Sequence, residues 1–426
     1  LCNIKESSIR RQVLGGERGD LRDALLPRPS SIRLTEEDVK GKIIPFNVHK
    51  TLRIESNIDI KDEVRFFCDS LTVGPVQTNQ GTDAIENIWV HIETIEEEDE
   101  SYELDILPSA MVNIRSKTKH GVFRALTTLS QVLDFMTRSE GKKISFGPGV
   151  SATSGWTHTH RHFGVHIKDR AWKSWRGLML DTARHFIPVQ MIFRVLRQMA
   201  MCKLNVFHWH ITDAVSFPLS LKTRPELASK GAFSSRQIYS SEDVRHIIEF
   251  AQKLRIRVVP EIDTPAHAAS WMRAFPHIGV NCTWIVPEDS SQQNNPYKRL
   301  DVLTLHPTSS ETREVVDDVL RDVAEIFPDR FVHIGADETN HRCWSEDTSL
   351  NHMSPKIAER KFLQKNIETL SKYSKRTIVW QEAFDSSTLR NDIVVMTWKC
   401  WGSPMTVGDQ SMSKALASGL NVIQTQ

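Results

Sequence analysis

The chain has 426 residues and a formal net charge of +1, with 25% charged and 39% hydrophobic residues. This length exceeds one compact core of ordinary size and predicts a barrel-sized domain together with a smaller one. The balanced charge and the lack of an uncharged apolar stretch of about 18 residues argue against nucleic-acid binding, electrostatic membrane binding and a membrane span, so we expect a soluble protein.

The first residues of the chain predict little regular structure. Residues 1–28 are polar and are interrupted by Gly15, Gly16 and Pro27, which favours a loose N-terminal arm. The chain begins with Leu1 rather than Met and shows no signal-peptide pattern, so we expect the natural N-terminus to be processed or missing.

A small domain is predicted after the arm, in residues 29–150. Short strands with partly alternating apolar residues are expected at residues 88–92 and 102–106. At residues 121–135 the apolar residues recur at helical spacing, so one face of a helix can cover the sheet. This order of elements predicts an α+β domain.

Residues 151–426 show short apolar strands that alternate with amphipathic helices, which is typical of βα architecture. The expected strands are 176–181, 205–210, 257–261, 331–335, 377–380, 393–398 and 420–425. A closed (β/α)8 TIM barrel needs eight parallel strands. The sequence therefore predicts an α/β fold in which a TIM barrel with seven strands, lacking its last one, follows the small domain.

The predicted strand ends are strongly polar, and TIM barrels build their active sites at these ends. The fourth strand is followed by Asp337 and Glu338, and the preceding Gly335 allows the backbone to turn both carboxylates toward one mouth. Adjacent negative charges favour a proton on one carboxyl while its neighbour stays ionised. Alternatively, the pair only caps the next helix, since carboxylates are favoured at helix N-termini.

Four segments carry a resemblance to a known family. They are Arg176-Gly-Leu-Met-Leu-Asp-Thr-Ala-Arg-His185, His208-Trp-His-Ile-Thr-Asp213, Glu261-Ile-Asp-Thr-Pro-Ala-His267 and His333-Ile-Gly-Ala-Asp-Glu338. In sequence, order and spacing they resemble glycoside hydrolase family 20, the β-N-acetylhexosaminidases, and the resemblance covers about residues 31–426. It implies removal of terminal β-linked N-acetylhexosamine from a glycoconjugate or chitin oligomer, without a cofactor or metal. The family uses a retaining mechanism in which the substrate's own acetamido oxygen attacks the anomeric carbon.

The resemblance also implies catalytic roles for four residues. Glu338 would protonate the leaving oxygen and later act as the base for water. Asp337 would orient the acetamido group and stabilise its positive charge. His267 would stand between Asp181 and Glu338 as a relay to the acid.

A second set of residues would bind the sugar. The resemblance implies that Arg184 holds the hydroxyls of the terminal sugar, a role that suits its fixed fork of donors, and that Asp213 assists it. Trp380 and Trp398 would wall the pocket, although tryptophans at strand ends also serve barrel packing. Supporting roles are expected for Glu261, Asp263 and Glu382. His210 is expected to have a structural role, and the role of His208 is left open.

Cysteines and a sequon bear on the compartment. Cys282 and Cys343 occupy positions that resemble a family disulfide, whereas the pairing of Cys2, Cys68, Cys202 and Cys400 is left open. Asn281-Cys282-Thr283 is a glycosylation sequon, which matters only in the secretory pathway. We therefore expect a lysosomal or secreted protein.

Two departures from the family pattern affect these expectations. Ala336 stands where the family usually has a second glycine, which adds a methyl group beside the catalytic pair. The chain to Gln426 also lacks the Trp-Tyr-x-Asp stretch and the final strand, with its tryptophan and glutamate, that complete the sugar pocket in the family.

Two other functions remain as alternatives. One is an inactive or truncated homologue that binds sugar or pairs with a complete subunit, and homodimerisation is likewise left open. The other is a metal-dependent hydrolase, because His208-Trp-His210 places two potential ligands on one side of a strand. The position differs from that of the familiar metal barrels, and no later strand-end histidine is seen to complete such a site.

Overall fold

The computed structural model describes residues 31–34, 47–70, 84–93, 99–107, 111–138, 165–280, 303–386, 392–399 and 407–425. The chain divides into two compact units. The predicted arm at residues 1–28, the sequon at Asn281 and the predicted disulfide partner Cys282 lie outside the described residues.

The first unit comprises Leu1–Arg176, Leu196–Asn205 and Gln252–Ile256. Its described elements are β1 (Ser31–Leu34), β2 (Asn47–Ser56), α1 (Lys61–Ser70), β3 (Ala84–Ile92), β4 (Tyr102–Ile106), β5 (Val112–Ser116), α2 (Lys119–Arg138) and β6 (Val165–Asp169). The strands form one mixed sheet in the order β1-β6-β4-β5-β3-β2. Strand β6 lies in the region that the sequence pattern assigned to the barrel, yet it pairs antiparallel with β4 and so belongs to this sheet.

Alternation along the strands decides which face of this sheet is buried. In β3, Ile88 and Val90 are almost fully buried, whereas Trp89 between them is 46% exposed. Strands β4 and β5 repeat this alternation, and α2 contributes Leu126 and Leu129 to the same hydrophobic core. A helix therefore covers one face of the sheet, which confirms the predicted α+β domain.

The second unit comprises Gly177–Val195, Val206–Ala251 and Arg257–Gln426. Its described strands are β7 (Gly177–Asp181), β8 (Val206–Thr212), β9 (Arg257–Thr264), β10 (Phe331–Gly335), β11 (Arg376–Trp380), β12 (Val394–Thr397) and β13 (Asn421–Gln424). The helices that alternate with them are α3 (Val189–Met201), α4 (Pro225–Gly231), α5 (Ser241–Lys253), α6 (Ala269–Met272), α7 (Ser310–Ile326), α8 (His341–Glu346), α9 (Pro355–Lys372), α10 (Gln381–Ser386) and α11 (Val407–Ala417).

The seven strands of this unit form one parallel sheet in which each strand lies beside the next in the sequence. Within the described residues this confirms the predicted barrel-type sheet and its seven strands. Strands β8 and β10 are buried along their whole length. Strand β7 lies at an edge, and its Leu178 and Met179 are 41% and 46% exposed.

Helix α7 shows how the sequence sets one of the covering helices. Its N-terminus is capped by Ser309, whose hydroxyl accepts a hydrogen bond from the Thr312 amide. Val316, Val319 and Val323 recur at helical spacing and are fully buried, so one apolar stripe faces the protein interior. Across the described helices, none has both the length and the apolar character that a membrane crossing needs.

Candidate active site

The register of the parallel strands places four polar side chains in one row. Asp181 on β7 pairs with His210 on β8, His210 pairs with Glu261 on β9, and Glu261 pairs with His333 on β10. Residues in register on parallel strands point to the same face of a sheet. The row therefore links the first four strands beneath the carboxyl ends at which the catalytic residues were predicted.

Glu261 is the centre of a buried cluster that also contains His208, His210 and Trp380, here called the Glu261 cluster. The Trp380 indole N–H donates a hydrogen bond of 2.8 Å to Oε1 of Glu261. Nε2 of His208 lies 2.6 Å and Nδ1 of His210 lies 3.0 Å from Oε2. Burial raises the pKa of Glu261, but the surrounding histidines outweigh burial and hold that pKa well below its usual range. Glu261 is therefore a buried anion.

The histidines of the row differ in charge. Burial lowers the pKa of His210, but Glu261 and Asp213 outweigh burial and raise it well above its usual range, so His210 is a cation. Burial lowers the pKa of His333 to about 3. Its Nδ1 accepts a hydrogen bond of 3.0 Å from the Gly335 amide, as a neutral imidazole can.

Arg184 is held by two carboxylates and lies beside the imidazolium of His210. Its NH1 lies 3.0 Å from Oδ2 of Asp181 and 3.2 Å from Nε2 of His210, and its NH2 lies 2.8 Å from Oδ2 of Asp213. Asp181 also accepts hydrogen bonds from the backbone amides of Ala183 and Arg184. Because the Arg184 side chain is 41% exposed, its guanidinium is held in place while part of it faces solvent.

His267 contacts the predicted catalytic pair directly. Its Nε2 lies 3.3 Å from Oε2 of Glu338 and 3.7 Å from Oδ2 of Asp337, and its Nδ1 lies 3.9 Å from Oδ2 of Asp213. The predicted relay placed Asp181 behind this histidine. Asp213 faces Nδ1 instead, and Asp181 is bound to Arg184 and to the backbone amides of Ala183 and Arg184.

The surrounding carboxylates make His267 a cation. Burial lowers its pKa, but the carboxylates of Asp263, Glu338 and Asp337 outweigh burial and raise it to about 10. Asp263 is itself buried, and burial together with the nearby Asp337 raises the pKa of its carboxyl well above the usual range. The imidazolium of His267 therefore lies in an acidic and largely buried environment.

The two predicted catalytic carboxyls have separated pKa values, but burial and His267 separate them rather than their adjacency, and the order is the reverse of the expected one. Burial raises the pKa of Asp337 to about 6. The contact with the His267 imidazolium lowers the pKa of Glu338, whose side chain is 57% exposed. The proton of the His267–Glu338 contact therefore lies on the imidazole, whereas Glu338 must carry it in order to act as a proton donor.

The turn after β10 has an unusual backbone. Gly335, Ala336 and Glu338 have φ values of 68°, 72° and 50°, in the left-handed region that disfavours residues with a Cβ. A Cβ at position 335 would overlap Oδ1 of Asp263, so the glycine is required by space as well as by conformation. The predicted turn at Gly335 is confirmed, and it directs Asp337 and Glu338 to His267.

Substitutions at Gly335 and Ala336 are expected to have opposite effects on stability. Gly335→Ala should lower the free energy of unfolding by about 3 kcal/mol, because the methyl group overlaps Asp263 and the backbone is strained. Ala336→Gly should raise it by about 1 kcal/mol, because glycine adopts a φ of 72° without strain. Chemical denaturation of both variants measures these differences, and equal effects of the same sign would contradict this account of the turn.

Both predicted pocket tryptophans are anchored by glutamates. Trp380 is only 9% exposed, and its ring lies 4.8 Å from that of His333. The Trp398 indole N–H donates a hydrogen bond of 3.0 Å to Oε2 of Glu382, whose Oε1 lies 2.8 Å from Nζ of Lys399. The half-buried Trp398 and the buried Trp380 thus have fixed orientations, which a packing role or a pocket wall would both require.

Three groups of described side chains have the residue types and spacing to hold a metal ion. They are His208, Glu261 and His333; His210, Asp213 and Asp263; and Asp263, His267 and Asp337. The first two groups each include members of the Glu261 cluster: His208 and Glu261 in the first, and His210 in the second. In that cluster Trp380 and the histidines already surround the Glu261 carboxylate. His208 and His210 were singled out by sequence as potential ligands and Glu261 and Asp263 as supporting residues, whereas His333 and Lys399 were not singled out as functional candidates.

The predicted disulfide is only partly within the described residues. Cys343 is fully buried and disulfide-bonded, whereas Cys282 lies outside them. Cys68 is also disulfide-bonded and Cys202 is free and exposed.

Comparison with known proteins adds to this geometry. The family profile described as "Glycosyl hydrolase family 20, catalytic domain" matches residues 174–426, and that described as "beta-acetyl hexosaminidase like" matches residues 27–132. Human beta-hexosaminidase subunit beta is 32% identical over 335 residues, which cover 76% of this chain and 54% of the relative. Beta-hexosaminidase 3 of Arabidopsis thaliana is 34% identical over 312 residues, which cover 70% of this chain and 52% of the relative. The chain spans about half the length of these relatives.

A solved structure shows the same fold. The crystal structure of an exo-β-N-acetylglucosaminidase from Vibrio harveyi in complex with N-acetylglucosamine is similar with a TM-score of 0.72 and 22% sequence identity. The similarity covers 98% of this chain and 63% of that one.

Proposed function

Because the chain belongs to glycosyl hydrolase family 20, we propose that it hydrolyses terminal, non-reducing β-linked N-acetyl-D-hexosamine residues of a glycan. The observation that carries this proposal is the contact of His267 with both Asp337 and Glu338 at the end of β10. Arg184 approaches the same group of carboxylates through Asp213. Asp213 thus lies between the proposed proton-transfer pair, His267 and Glu338, and the guanidinium of Arg184 that would bind sugar hydroxyls.

In the proposed reaction the acetamido oxygen of the substrate attacks the anomeric carbon as the bond to the leaving oxygen breaks. Glu338 first receives a proton from Nε2 of His267 across the 3.3 Å contact and then donates it to that leaving oxygen. Asp337 is ionised above pH 6 and stabilises the positive charge on the acetamido group. Water then attacks the anomeric carbon, and Glu338 accepts its proton.

The sugar itself would be held by Arg184, Asp213 and the two tryptophans. Arg184 keeps a partly exposed guanidinium, which can donate to sugar hydroxyls while Asp181 and Asp213 fix its position. Trp380 and Trp398 have oriented indoles that would face the sugar ring and the acetamido methyl. Trp380 is the more buried of the two, so we assign it to the pocket wall rather than to an exposed rim.

We propose a lysosomal or secreted location for this activity. Disulfide bonds at Cys343 and Cys68 suit an oxidising compartment. Cys282 is the proposed partner of Cys343, and Asn281 is the proposed glycosylation site. Dimerisation with a second copy belongs to the same set of proposals and is decided by sedimentation analysis.

A thiazoline that mimics the oxazoline intermediate is expected to inhibit the protein at least about a hundredfold more tightly than the same sugar analogue without the acetamido group. Only a site that uses the acetamido oxygen as the nucleophile gains from binding the cyclised form. Inhibition constants are measured with a chromogenic N-acetylglucosaminide. Equal inhibition by the two compounds would contradict the mechanism, and binding of both without turnover would indicate a sugar-binding homologue.

Metal-dependent hydrolysis is the competing proposal, and the grouping of His208, Glu261 and His333 is the observation behind it. Elemental analysis of the purified protein, combined with activity after chelation, separates the two. A stoichiometric metal whose removal abolishes turnover would favour the metal site.

A further inference from the structure

The outward face of the sheet in the first unit carries a row of polar side chains interrupted by one indole. Trp89 on β3 pairs with Glu55 on β2 and with Asn113 on β5, and Asn113 pairs with Asp105 on β4. All four lie opposite the hydrophobic core, because their strand neighbours, such as Ile88 and its counterparts, fill that core. The register therefore places these side chains side by side across four strands, and this surface is here called the Trp89 platform.

A shallow depression lies on this platform beside Trp89. Its volume is about 420 Å³, and its polar lining includes Glu55, His91, Asn113 and Arg115. The side chains of Glu55, His91 and Asn113 make no hydrogen bond to another described residue, so their polar groups are available to a ligand. The Trp89 side chain is 46% exposed, which is unusual for an indole in the middle of a sheet whose other face is a closed core.

The charges beside the depression, apart from that of Glu55, neutralise one another. Arg115 lies 3.2 Å from Glu103 and 3.0 Å from Asp105, and Lys168 lies 2.8 Å from Glu103. Cations that already have carboxylate partners do not form an anion-binding site, and the same pairing withdraws Glu103 and Asp105 from a cation. Glu55 remains as a single carboxylate that can accept hydrogen bonds from ligand hydroxyls. The platform therefore favours a neutral ligand that offers many hydrogen-bonding groups.

We propose that the Trp89 platform binds a neutral glycan chain at a site separate from the catalytic pair. A pyranose ring presents an apolar C–H face that stacks on an indole, and its edge carries hydroxyls that reach flanking polar groups. Glu55, Asn113 and His91 supply those groups around Trp89. A protein partner would require several apolar anchors in a desolvated patch, whereas this platform offers a single indole among polar side chains.

The inference does not depend on the proposed hydrolase activity, and the experiment keeps the two apart. Affinity electrophoresis through gels that contain glycol chitin or hydroxyethyl cellulose measures weak binding to neutral polysaccharides. The whole chain is used with Arg184→Ala as the parent, so that the predicted terminal-sugar site does not contribute to retardation. Trp89→Ala is compared with Trp172→Ala, a matched control, because Trp172 lies in the same unit and is 91% exposed.

The parent is expected to be retarded by at least one polymer, and Trp89→Ala should weaken that binding at least about tenfold. Trp172→Ala should bind within about twofold of the parent. Asn113→Ala removes only a surface amide and should weaken binding about fivefold. This second variant keeps the proposal testable if Trp89→Ala misfolds, and circular dichroism checks the fold of Trp89→Ala. Unchanged retardation of a folded Trp89→Ala or of Asn113→Ala, equal loss in Trp172→Ala, or no retardation of the parent would overturn the proposal. If the parent is not retarded but self-associates, and Trp89→Ala abolishes that self-association, the proposal is also overturned and the platform is assigned to a protein interface.

Discussion

Replacing Glu338 with glutamine is expected to lower the turnover of a substrate with a poor leaving group by about 10²–10⁴-fold. Glutamine keeps the size of the side chain but cannot deliver a proton to the glycosidic oxygen. It also removes the anion that helps to raise the pKa of His267 to about 10. Steady-state kinetics with a natural chitin oligomer measures the loss of kcat.

The leaving group supplies the control for this experiment. A nitrophenolate leaves without a proton, so the same variant should lose much less in its first step on a nitrophenyl N-acetylglucosaminide. An equal loss on both substrates would indicate that Glu338 acts on binding or folding. Full activity on both would remove Glu338 from the mechanism.

Asp337→Asn is expected to lower kcat about 10²–10³-fold and yet to stabilise the folded chain above pH 6. The neutral amide cannot balance the positive charge that develops on the acetamido group. Burial raises the pKa of Asp337 from 3.8 to about 6, so ionising this carboxyl in the folded chain is unfavourable. Activity and stability should therefore change in opposite directions.

The sign of the pH dependence follows from that raised pKa. Below pH 3.8 the carboxyl is protonated in both folded and unfolded chains, so Asn and Asp should give equal stability. As the pH rises through 6, the wild-type chain loses up to about 3 kcal/mol that the Asn variant keeps. Melting temperatures measured between pH 4 and pH 8 test this difference.

Asp347 provides a control of opposite sign. Burial raises the pKa of its carboxyl, but hydrogen bonds from Ser349 outweigh burial and lower that pKa. The stability that it contributes is present above its unfolded pKa and is lost as the pH falls, so Asp347→Asn should destabilise the chain at neutral pH. Stabilisation by both variants, or by neither, would contradict the assigned charge states.

The fold was predictable because each element shows its own pattern. The seven barrel strands were expected from short apolar runs between amphipathic helices, and all seven occur within two or three residues of the expected bounds. Strand β9 runs on to Thr264, three residues beyond its expected end, and its polar Asp263 and Thr264 are both buried. Polar residues at a strand end look like loop residues in a sequence, although in this barrel they belong to the site.

The composition of the site was predictable, but its pairing was not. Motifs brought Asp181, Asp213, His267 and Glu338 together, yet the sequence could not show which carboxylate faces His267. That choice depends on the loop after β9, where His267 itself has a φ of 52°. The order of the carboxyl pKa values was hidden for the same reason, since a contact of 3.3 Å between His267 and Glu338 reverses it.

The Glu261 cluster also has a consequence for how the chain evolves. Trp380, His208 and His210 all depend on one buried anion. A neutral residue at position 261 would leave the indole N–H of Trp380 without its acceptor and His210 with Asp213 as its one remaining carboxylate contact among the described residues, and losing the indole or His210 would leave part of the Glu261 carboxylate unpaired. Substitutions at these positions should therefore show strong epistasis, with each tolerated only in the company of others. The members of the cluster are therefore expected to change together or to stay as they are.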